Sequence, residues 1–543
     1  MTFMKARFTF IIFILFLLTM EGIHAQHGFP GGAVVPLKPQ SPLFGKDIII
    51  FDSLNVNQND VVICSAFNGW LYAIVTYYDS VASKPGLSLM QSVDNGMTWA
   101  YLYGKVSPVT GVKFRSNSIV ALGDSVSALK IFWATIYSDS LSSLGQGFVY
   151  RFNGITGNYE TQLFSYNGLS SIALSSDYNY QASGSSYPTL GMVCSTPTQI
   201  AFHCSSNGGV SFNNSQIVAT TSNLYFQKVA LNYGRSPSWS TGRYFVAWEA
   251  QASQLSTSGH VYTAHTEPDF NSAFTTPVCL DSIDPTLINK VRNPVIACQF
   301  SGSDNDSSNL TEVIMLEKEL SSVNYDIGGF YNLQATTSNH FTEFSISTSP
   351  NNKSEPDINF NPFDSTFMLT YYNSTLHTLP FLTNDVNLAN PYVWNTVSSA
   401  YNDNGNLVSP LPKVKLNYLE QSGMDAWISV ESNGSGVALF DAPYSTYTGV
   451  SEINSGSPGR VTGVYPNPCN SDITVYFEMQ TTGKVTISIY SLVGQTEGII
   501  TNQNYPSGKH QLKYNVSNLS PGTYIYTFKS GDFLTSGKFT VIR

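Results

Sequence analysis

The chain has 543 residues, a formal net charge of −10 and only 11% charged residues, so it exceeds one ordinary core and two domains are expected. Because the basic residues form no run, the charge pattern argues against a nucleic-acid partner or an anionic membrane surface. Tyr and Phe, among many Ser, Thr, Asn and Gly residues, favour short strands joined by polar turns. The expected class is all-β.

The N-terminus has the organisation of a secretory signal peptide. Lys5 and Arg7 precede an apolar run at residues 8–20, and the small residue Ala25 follows. That run is too short to span a hydrocarbon core as a helix. We therefore predict a signal peptide at residues 1–25 and a mature chain without a transmembrane segment.

One pattern recurs between about residues 47 and 445: a short strand, a turn, a stronger aromatic-rich strand and a weaker hairpin. The strong strands begin at Leu71, Lys130, Thr198, Arg243, Glu312, Thr366 and Asp425. A spacing of roughly 45–70 residues with about four strands per unit predicts a seven-bladed β-propeller over residues 26–445. A pair of β-sandwiches or a parallel β-helix is the alternative, although neither has this long period.

The two ends of the repeat region predict how the ring closes. The last unit has three convincing strands, KVKLNY, DAWISV and GVALFD, and a lone strand, KDIIIFDS, precedes the first unit. The lone strand would complete the last blade and remove an exposed sheet edge.

The stretch SVDNGMTW has the residues of a tight hairpin turn. Ser92 and Asp94 can accept backbone N–H bonds, and Gly96 allows a positive φ. Thr98 is expected to re-enter a strand and Trp99 to pack beneath the turn.

This stretch resembles the Asp-box, a hairpin motif of sialidases and many other propellers. A second copy, with an amide in place of the carboxylate and Phe in place of Trp, is formed by Ser205, Asn207, Gly209, Ser211 and Phe212. The resemblance implies a structural role at the blade periphery, away from any active site. It supports a fold and leaves catalytic residues unidentified.

Four further features are weaker candidates for a site. Arg292 lies in VRNPV, which resembles the Arg-Ile-Pro signature of sialidases, but Asn293 replaces Ile and the motif falls in the fifth unit. Glu249 and Asp357 lie at strand ends, where propellers often place ligand contacts, although buried carboxylates there are also ordinary. The segment SGSDNDSSN, around Asp304 and Asp306, spaces acidic groups as a calcium loop does, but a solvated hairpin tip is the stronger interpretation.

The six cysteines form no CxxC motif and no Cys/His cluster with the spacing of metal ligands, so no metal and no cofactor are expected. Cys194 and Cys204 flank a segment that can turn and return, so the two could face each other and form a disulfide outside the cytoplasm. Two half-buried thiols are the alternative.

After a Ser-, Gly- and Thr-rich linker at residues 446–463, six or seven alternating strands predict a small β-sandwich at residues 464–543. This region resembles the type A C-terminal sorting domain of the type IX secretion system of Bacteroidetes. The matching positions include Tyr465, Pro466, Asn467, Pro468, Gly494, Pro521, Gly522, Tyr524, Gly537 and Lys538. The resemblance implies export through that machinery, with removal of the domain and either release or attachment at the cell surface.

Three functions compete for the propeller. A module that binds glycans or surface proteins is favoured, because no catalytic constellation is visible and exposed aromatic residues suit sugar stacking. A sialidase-like or other glycoside hydrolase is the second hypothesis, and it requires two suitably spaced carboxylates or a tyrosine nucleophile with an arginine cluster. A structural surface component is the third.

Overall fold

In the computed structural model, the described residues lie between 47 and 542. The gaps are 54–55, 67, 108, 124–127, 140–141, 178–188, 236–241, 267–272, 289, 300–309, 322–323, 336–337, 347–350, 363–365, 386–393, 399–406, 409–410, 418–421, 432–433, 443–458, 466, 468, 480, 492–495 and 531–532. The predicted signal peptide, Asp304, Asp306 and most of the linker therefore lie outside the described residues. The chain divides into two units, Met1–Pro443 and Tyr444–Arg543.

Six sheets of the first unit each contain four consecutive strands joined in antiparallel order, numbered here as blades 1 to 6. Blades 1 to 3 are formed by β2 (Val56–Ser65), β3 (Leu71–Asp79), β4 (Lys84–Ser92) and β5 (Ala100–Val106); β6 (Val112–Leu122), β7 (Lys130–Asp139), β8 (Gly145–Asn153) and β9 (Tyr159–Leu169); and β10 (Ser171–Ser176), β11 (Leu190–Ser195), β12 (Gln199–Ser205) and β13 (Asn214–Thr220).

Blades 4 to 6 repeat the same arrangement. Their strands are β14 (Tyr225–Gly234), β15 (Arg243–Gln251), β16 (His260–His265) and β17 (Val278–Cys279); β18 (Val291–Cys298), β19 (Glu312–Ser321), β20 (Asn324–Asn332) and β21 (Thr342–Ser345); and β22 (Lys353–Asn361), β23 (Thr366–Asn373), β24 (Phe381–Asp385) and β25 (Asn395–Ser398). A short 3-10 turn, Pro285–Leu287, precedes blade 5.

Blade 7 joins the two ends of the first unit. Its C-terminal strands are β26 (Leu407–Val408), β27 (Lys413–Asn417), β28 (Ser422–Val430) and β29 (Gly436–Asp441), and the N-terminal strand β1 (Ile48–Ile49) pairs with β29. Ile48 lies opposite Phe440 in this antiparallel pair. The predicted closure of the last blade by the N-terminal strand is confirmed.

The first strands of neighbouring blades contact each other in turn, from β2 through β6, β10, β14, β18 and β22 to β27, and β27 contacts β2. This closed ring of inner strands makes the first unit a β-propeller, as predicted. The blades pack through apolar faces, and the bulkiest fully buried side chains include Trp133, Trp248 and Trp427. Each of them lies on the second strand of its blade, which has the near-continuous apolar sequence expected for a strand buried on both faces.

Five of the inner strands have an irregularity near their N-terminal ends. β2, β6, β14, β18 and β22 each contain a register shift in the first half of the strand. A β-bulge of this kind re-aims side chains and is frequent beside functional sites. We call the end of the ring at which the inner strands begin the entry end.

The second unit contains two antiparallel sheets around a core of its own. The three-stranded sheet is formed by β30 (Gly459–Tyr465), β31 (Asp472–Met479) and β34 (Gly508–Asn515), and the four-stranded sheet by β32 (Gly483–Ser491), β33 (Thr496–Tyr505), β35 (Gly522–Ser530) and β36 (Phe533–Val541). Alternating burial along β31 and β32 fits sheets with one face toward the core and one toward solvent. The predicted small C-terminal β domain is confirmed.

The predicted disulfide requires a correction. Cys194 lies opposite Ala201, whereas Cys204 lies opposite Gly191 on the same strand pair. That offset of three residues corresponds to roughly 10 Å along a strand, which is too far for a disulfide. The two thiols are free and pack in different apolar clusters, because they belong to opposite faces of the sheet.

Candidate functional site

A network of carboxylates surrounds Asn293 at the entry end of blades 4 to 6. The backbone N–H of Asn293 donates to Glu249 Oε2 at 3.0 Å. The Asn293 side-chain amide donates to Glu317 Oε1 and to Glu355 Oε2, both at 2.8 Å. One asparagine thus links three glutamates from three blades, so the network forms only when blades 4, 5 and 6 are packed together.

The backbone at this network is held in a rarely occupied conformation. Asn293 and Glu355 both have a φ of 52°, and each lies within the bulge of its inner strand. Residues other than glycine seldom adopt such angles unless the surroundings impose them, and they cluster at functional sites. Glu317 supplies that constraint because its Oε1 also accepts the backbone N–H of Glu355 at 2.8 Å.

Arg292 borders the network and pairs with its buried carboxylate. Its Nε donates to Glu317 Oε2 at 2.6 Å, and its guanidinium carbon lies 3.5 Å from the ring centre of Tyr325. Glu317 is almost completely buried, whereas Arg292, Asn293 and Glu355 are partly exposed. The surface at this end therefore presents a guanidinium, an amide and a carboxylate, and all three residues are hydrogen-bonded to the buried Glu317.

Burial raises the pKa of both inner carboxyl groups. For Glu317 the loss of solvation is the main cause and the charge of Glu355 adds to it, while Arg292 opposes the increase. For Glu249 the main cause is again burial, opposed by the hydrogen bonds from Asn293 and Gln251. Buried carboxyl groups with raised pKa values occur at functional sites and also in structural ion-pair networks.

The sequence identified part of this network. Glu249 and Arg292 are among the candidate residues of the sequence, and the structure brings them together at Asn293. Asp357 lies apart from the network: its Oδ2 accepts the backbone N–H of Val414 and the ammonium of Lys415, both at 2.9 Å.

Glu317 and Glu355 were missed because each lies in an ordinary strand sequence. The available signal was the segment SEPD, where a proline directly after Glu355 breaks the strand alternation.

Asp357 and Lys415 line the central channel of the ring together with other residues of the inner strands. The volume open to water-sized spheres is about 190 Å³, below the roughly 300–1,000 Å³ of small-molecule sites. The channel is therefore smaller than a typical small-molecule site, and the partly exposed polar groups of the Asn293 network are the candidate site considered below.

The SVDNGMTW hairpin makes dense local contacts at the other end of blade 1. Ser92 Oγ accepts the N–H of Gly96 at 2.7 Å, and Asp94 Oδ1 accepts the N–H of Thr98 at 2.9 Å. Gly96 has a φ of 88°, and Trp99 packs against Phe440 of blade 7. Thr98 corrects the prediction in one respect, because it remains in the turn and β5 begins only at Ala100.

The second hairpin repeats these contacts with an amide. Gly209 N donates to Ser205 Oγ at 3.0 Å, and Ser211 N donates to Asn207 Oδ1 at 3.1 Å. A Cβ on Gly209 would lie 2.2 Å from Phe132 of the preceding blade, as one on Gly96 would lie 2.0 Å from Phe440. In both places the turn contacts an aromatic ring of its neighbour, which suits a structural role; that role remains a prediction.

The described residues of the sorting motif lie on the strands of the second unit or directly beside them. Asn467 Oδ1 accepts the N–H of Thr540 at 2.8 Å, and Tyr524 donates to the Ser520 carbonyl at 2.8 Å. Tyr465 ends β30, Pro521 precedes Gly522 at the start of β35, and Gly537 and Lys538 lie in β36. The described residues exclude Pro466, Pro468 and Gly494.

Residues 463–542 match the family model of the secretion system C-terminal sorting domain. No curated protein matches the chain. This domain indicates export through the type IX secretion system to the cell surface or beyond, and it implies interaction with that machinery. Among the described residues, no helix is long and apolar enough to cross a membrane.

Several solved structures resemble the chain. The GH93 α-L-arabinofuranosidase of Fusarium graminearum has 10% identity and a TM-score of 0.44, covering 74% of this chain and 97% of the other. The α-L-arabinanase of Penicillium chrysogenum has 11% identity and a TM-score of 0.41, covering 74% and 98%. A point mutant of the NanB sialidase of Streptococcus pneumoniae has 10% identity and a TM-score of 0.40, covering 75% and 71%.

Proposed function

We propose that this protein is an exported glycan-binding propeller whose sugar site lies at the entry end of blades 5 and 6. The observation that supports this proposal is the paired strain of Asn293 and Glu355, both at a φ of 52° and both held by the buried Glu317. Backbone strain of this kind costs about 1–3 kcal/mol per residue. A site fixed in this way loses little further entropy when a ligand binds.

The chemistry of the exposed groups suits sugar hydroxyls. A vicinal pair of hydroxyls needs acceptors and donors at adjacent positions. Glu355 offers carboxylate oxygens and Asn293 its amide oxygen as acceptors, and the guanidinium of Arg292 offers donors. Arg292 also gives the site a preference for sugars with a carboxylate, because a guanidinium binds a carboxylate through two parallel hydrogen bonds. The export route delivers such a site to where extracellular glycans are found.

The test is a glycan array with the purified full chain, followed by calorimetric titration of the sugars retained. We expect Glu355→Gln to abolish binding with little change in stability, because its side chain is partly exposed. His340→Ala is the control, since His340 is exposed and lies outside the network. Equal binding by the Glu355→Gln and wild-type proteins would refute this location, and retention of no sugar would favour the structural role.

A second candidate, glycoside hydrolysis, rests on the proximity of two carboxylates. Glu317 Oε1 and Glu355 Oε2 both lie 2.8 Å from the Asn293 amide nitrogen, so the two oxygens are at most twice that distance apart. Retaining glycosidases hold their two carboxyl groups about 5–5.5 Å apart. Fluorogenic glycosides of the sugars retained on the array test this function: turnover that Glu355→Gln abolishes would favour hydrolysis, whereas binding without turnover would leave the lectin-like role.

A further inference from the structure

Three side chains with different donor atoms meet on the outer part of blade 4, away from the Asn293 network. His260 begins β16, Cys279 ends β17, and Asp281 follows in the next turn. Cys279 lies opposite Tyr262 in the strand register. Because side chains two apart on a strand share a face, this pairing places the thiol beside the imidazole of His260.

The donor atoms of the three residues form a compact group. His260 Nδ1 lies 2.8 Å from Asp281 Oδ2, and the Cys279 thiol donates to Asp281 Oδ1 at 3.2 Å. All three donor atoms lie within 4.8 Å of one another. Ligand atoms about 2.0–2.3 Å from a tetrahedral metal ion are separated by a similar distance, so small side-chain adjustments would let all three reach one ion.

The burial of the group suits a bound ion with one coordination position left open to water. Asp281 is fully buried and its Oδ1 also accepts the backbone N–H of Val261 at 3.2 Å, whereas His260 and Cys279 are partly exposed. The carboxylate is therefore anchored while the other two donors face solvent. Three protein ligands with a fourth position open to water is the arrangement of many zinc sites.

The thiol itself is a second observation in favour of a metal. Cys279 is the only partly exposed cysteine among the six, since the other five are buried. The sorting domain indicates export, and outside the cytoplasm an exposed thiol without a disulfide partner is open to oxidation unless another group binds it. Cys279 has no cysteine partner in the structure.

We propose that His260, Cys279 and Asp281 bind a zinc-class divalent transition-metal ion. The set of one imidazole, one thiol and one carboxylate suits borderline ions such as Zn²⁺ and Co²⁺, whereas Ca²⁺ and Mg²⁺ require oxygen ligands alone. On binding, the thiol proton leaves to water and the sulfur lone pair forms the metal bond, so the metal keeps its oxidation state. This proposal is independent of the proposed sugar site.

Cobalt titration of the full chain, purified under reducing conditions with a chelator that is then removed, tests the site. We expect one Co²⁺ per chain and the near-ultraviolet charge-transfer band of a cobalt–thiolate bond, with Zn²⁺ displacing the cobalt. Cys279→Ser should abolish that band. Loss of a residue that merely supports a metal ligand lowers affinity roughly 10–100-fold, so His260→Ala and Asp281→Asn should weaken binding at least that much.

His340→Ala is the matched control and should bind cobalt as the wild-type protein does, because this exposed histidine lies outside the group. Melting curves with and without Zn²⁺ cover variants that fold poorly: the ion should raise the melting temperature of the wild-type and control proteins and leave that of Cys279→Ser unchanged. Absence of the charge-transfer band, unchanged affinity in His260→Ala, or a Cys279-linked dimer that binds no metal would each overturn the proposal.

Discussion

The Asp94 hairpin and the Asn293 network differ in how their polar groups find hydrogen-bond partners. The hairpin completes its hydrogen bonds within eight consecutive residues, from Ser92 to Trp99. The network joins side chains as far apart in sequence as Glu249 and Glu355, which lie on different blades. A local motif can therefore be recognised from sequence, whereas a site assembled between blades becomes visible only in the folded ring.

This difference leads to a division of roles. A locally satisfied turn stabilises one hairpin and can be placed on any blade, as the copy at Asn207 illustrates. A network that depends on three assembled blades cannot be copied onto a single hairpin, and here it carries backbone strain at Asn293 and Glu355. We expect changes in the hairpin to alter stability alone, and changes in the network to alter ligand binding.

The largest effect is expected from breaking the closure of the ring in blade 7. Deleting residues 46–53 removes strand β1, including the buried side chains Ile48, Ile50 and Phe51. At about 1.5–3 kcal/mol for each fully buried apolar side chain, the loss amounts to a large share of the stability of a typical domain. Urea unfolding should show a much lower midpoint and a less cooperative transition for the truncated chain.

The control for this deletion adds a synthetic peptide of residues 46–53 to the truncated chain. The peptide should restore part of the stability in a concentration-dependent manner, because it can pair with β29 in the register of Ile48 opposite Phe440. A truncated chain that unfolds like the full chain would show that the ring does not depend on β1.

Gly96→Ala tests the hairpin's contact with the neighbouring blade. The new methyl group would lie 2.0 Å from Phe440 at a φ of 88°, whereas Gly111→Ala, at a φ of 74°, meets nothing within 4 Å. Both variants carry the backbone cost of a left-handed residue, about 1–2 kcal/mol, and only Gly96→Ala adds overpacking of about 1–3 kcal/mol. Equal losses of unfolding free energy in the two proteins would show that the turn does not rely on Phe440.

Glu312 tests whether a buried carboxyl group outside the Asn293 network also has a raised pKa. Burial raises its pKa to about 7, opposed by the hydroxyl of Thr263, which donates to it at 2.7 Å. The unfolded chain releases this proton near pH 4.5, so the stabilisation is complete below that pH and is lost as the pH rises through about 7. Deprotonation in the folded state should cost about 3 kcal/mol at high pH.

Glu312→Gln keeps the shape of the side chain and removes its charge. Urea unfolding from about pH 5 to about pH 9 should therefore show the variant more stable than the wild-type protein above about pH 7 and similar to it at the acidic end. If the difference in unfolding free energy between the wild-type and variant proteins stays constant across this range, the pKa of Glu312 is not raised in the folded state.

The sequence predicted features that recur or that are local. The aromatic-rich second strands revealed the blade period. These strands are buried on both faces, so each blade repeats a run of large apolar residues such as Trp133 or Trp248. The sequence offered Glu249 and Arg292 but missed Asn293's partners Glu317 and Glu355 and the whole His260, Cys279 and Asp281 group, because bulges and strand register, rather than sequence spacing, bring these side chains together. The disulfide prediction failed for the same reason, since register sets Cys194 and Cys204 on opposite faces.

The smallest effect is expected from Asp94→Ala, and it separates the two regions most directly. Asp94 accepts hydrogen bonds from the Thr98 N–H at 2.9 Å and the Thr98 hydroxyl at 2.5 Å. Leaving such donors unpaired costs about 1–3 kcal/mol when they are buried, and the partial exposure of this turn favours the lower end. Asn207→Ala should have a similar effect, because Asn207 accepts the N–H of Ser211 without carrying a charge.

Thermal unfolding and sugar titration of Asp94→Ala, Asn207→Ala and Glu355→Gln, measured side by side, decide the comparison. The two hairpin variants should unfold at lower temperature and bind normally, while the network variant should unfold normally and lose binding. If Asp94→Ala instead abolished binding at an unchanged melting temperature, the ligand site would lie at the Asp94 hairpin. Because Asn207 lacks the charge of Asp94, a functional role of that charge would also make the two hairpin variants differ, whereas a purely structural role predicts that they behave alike.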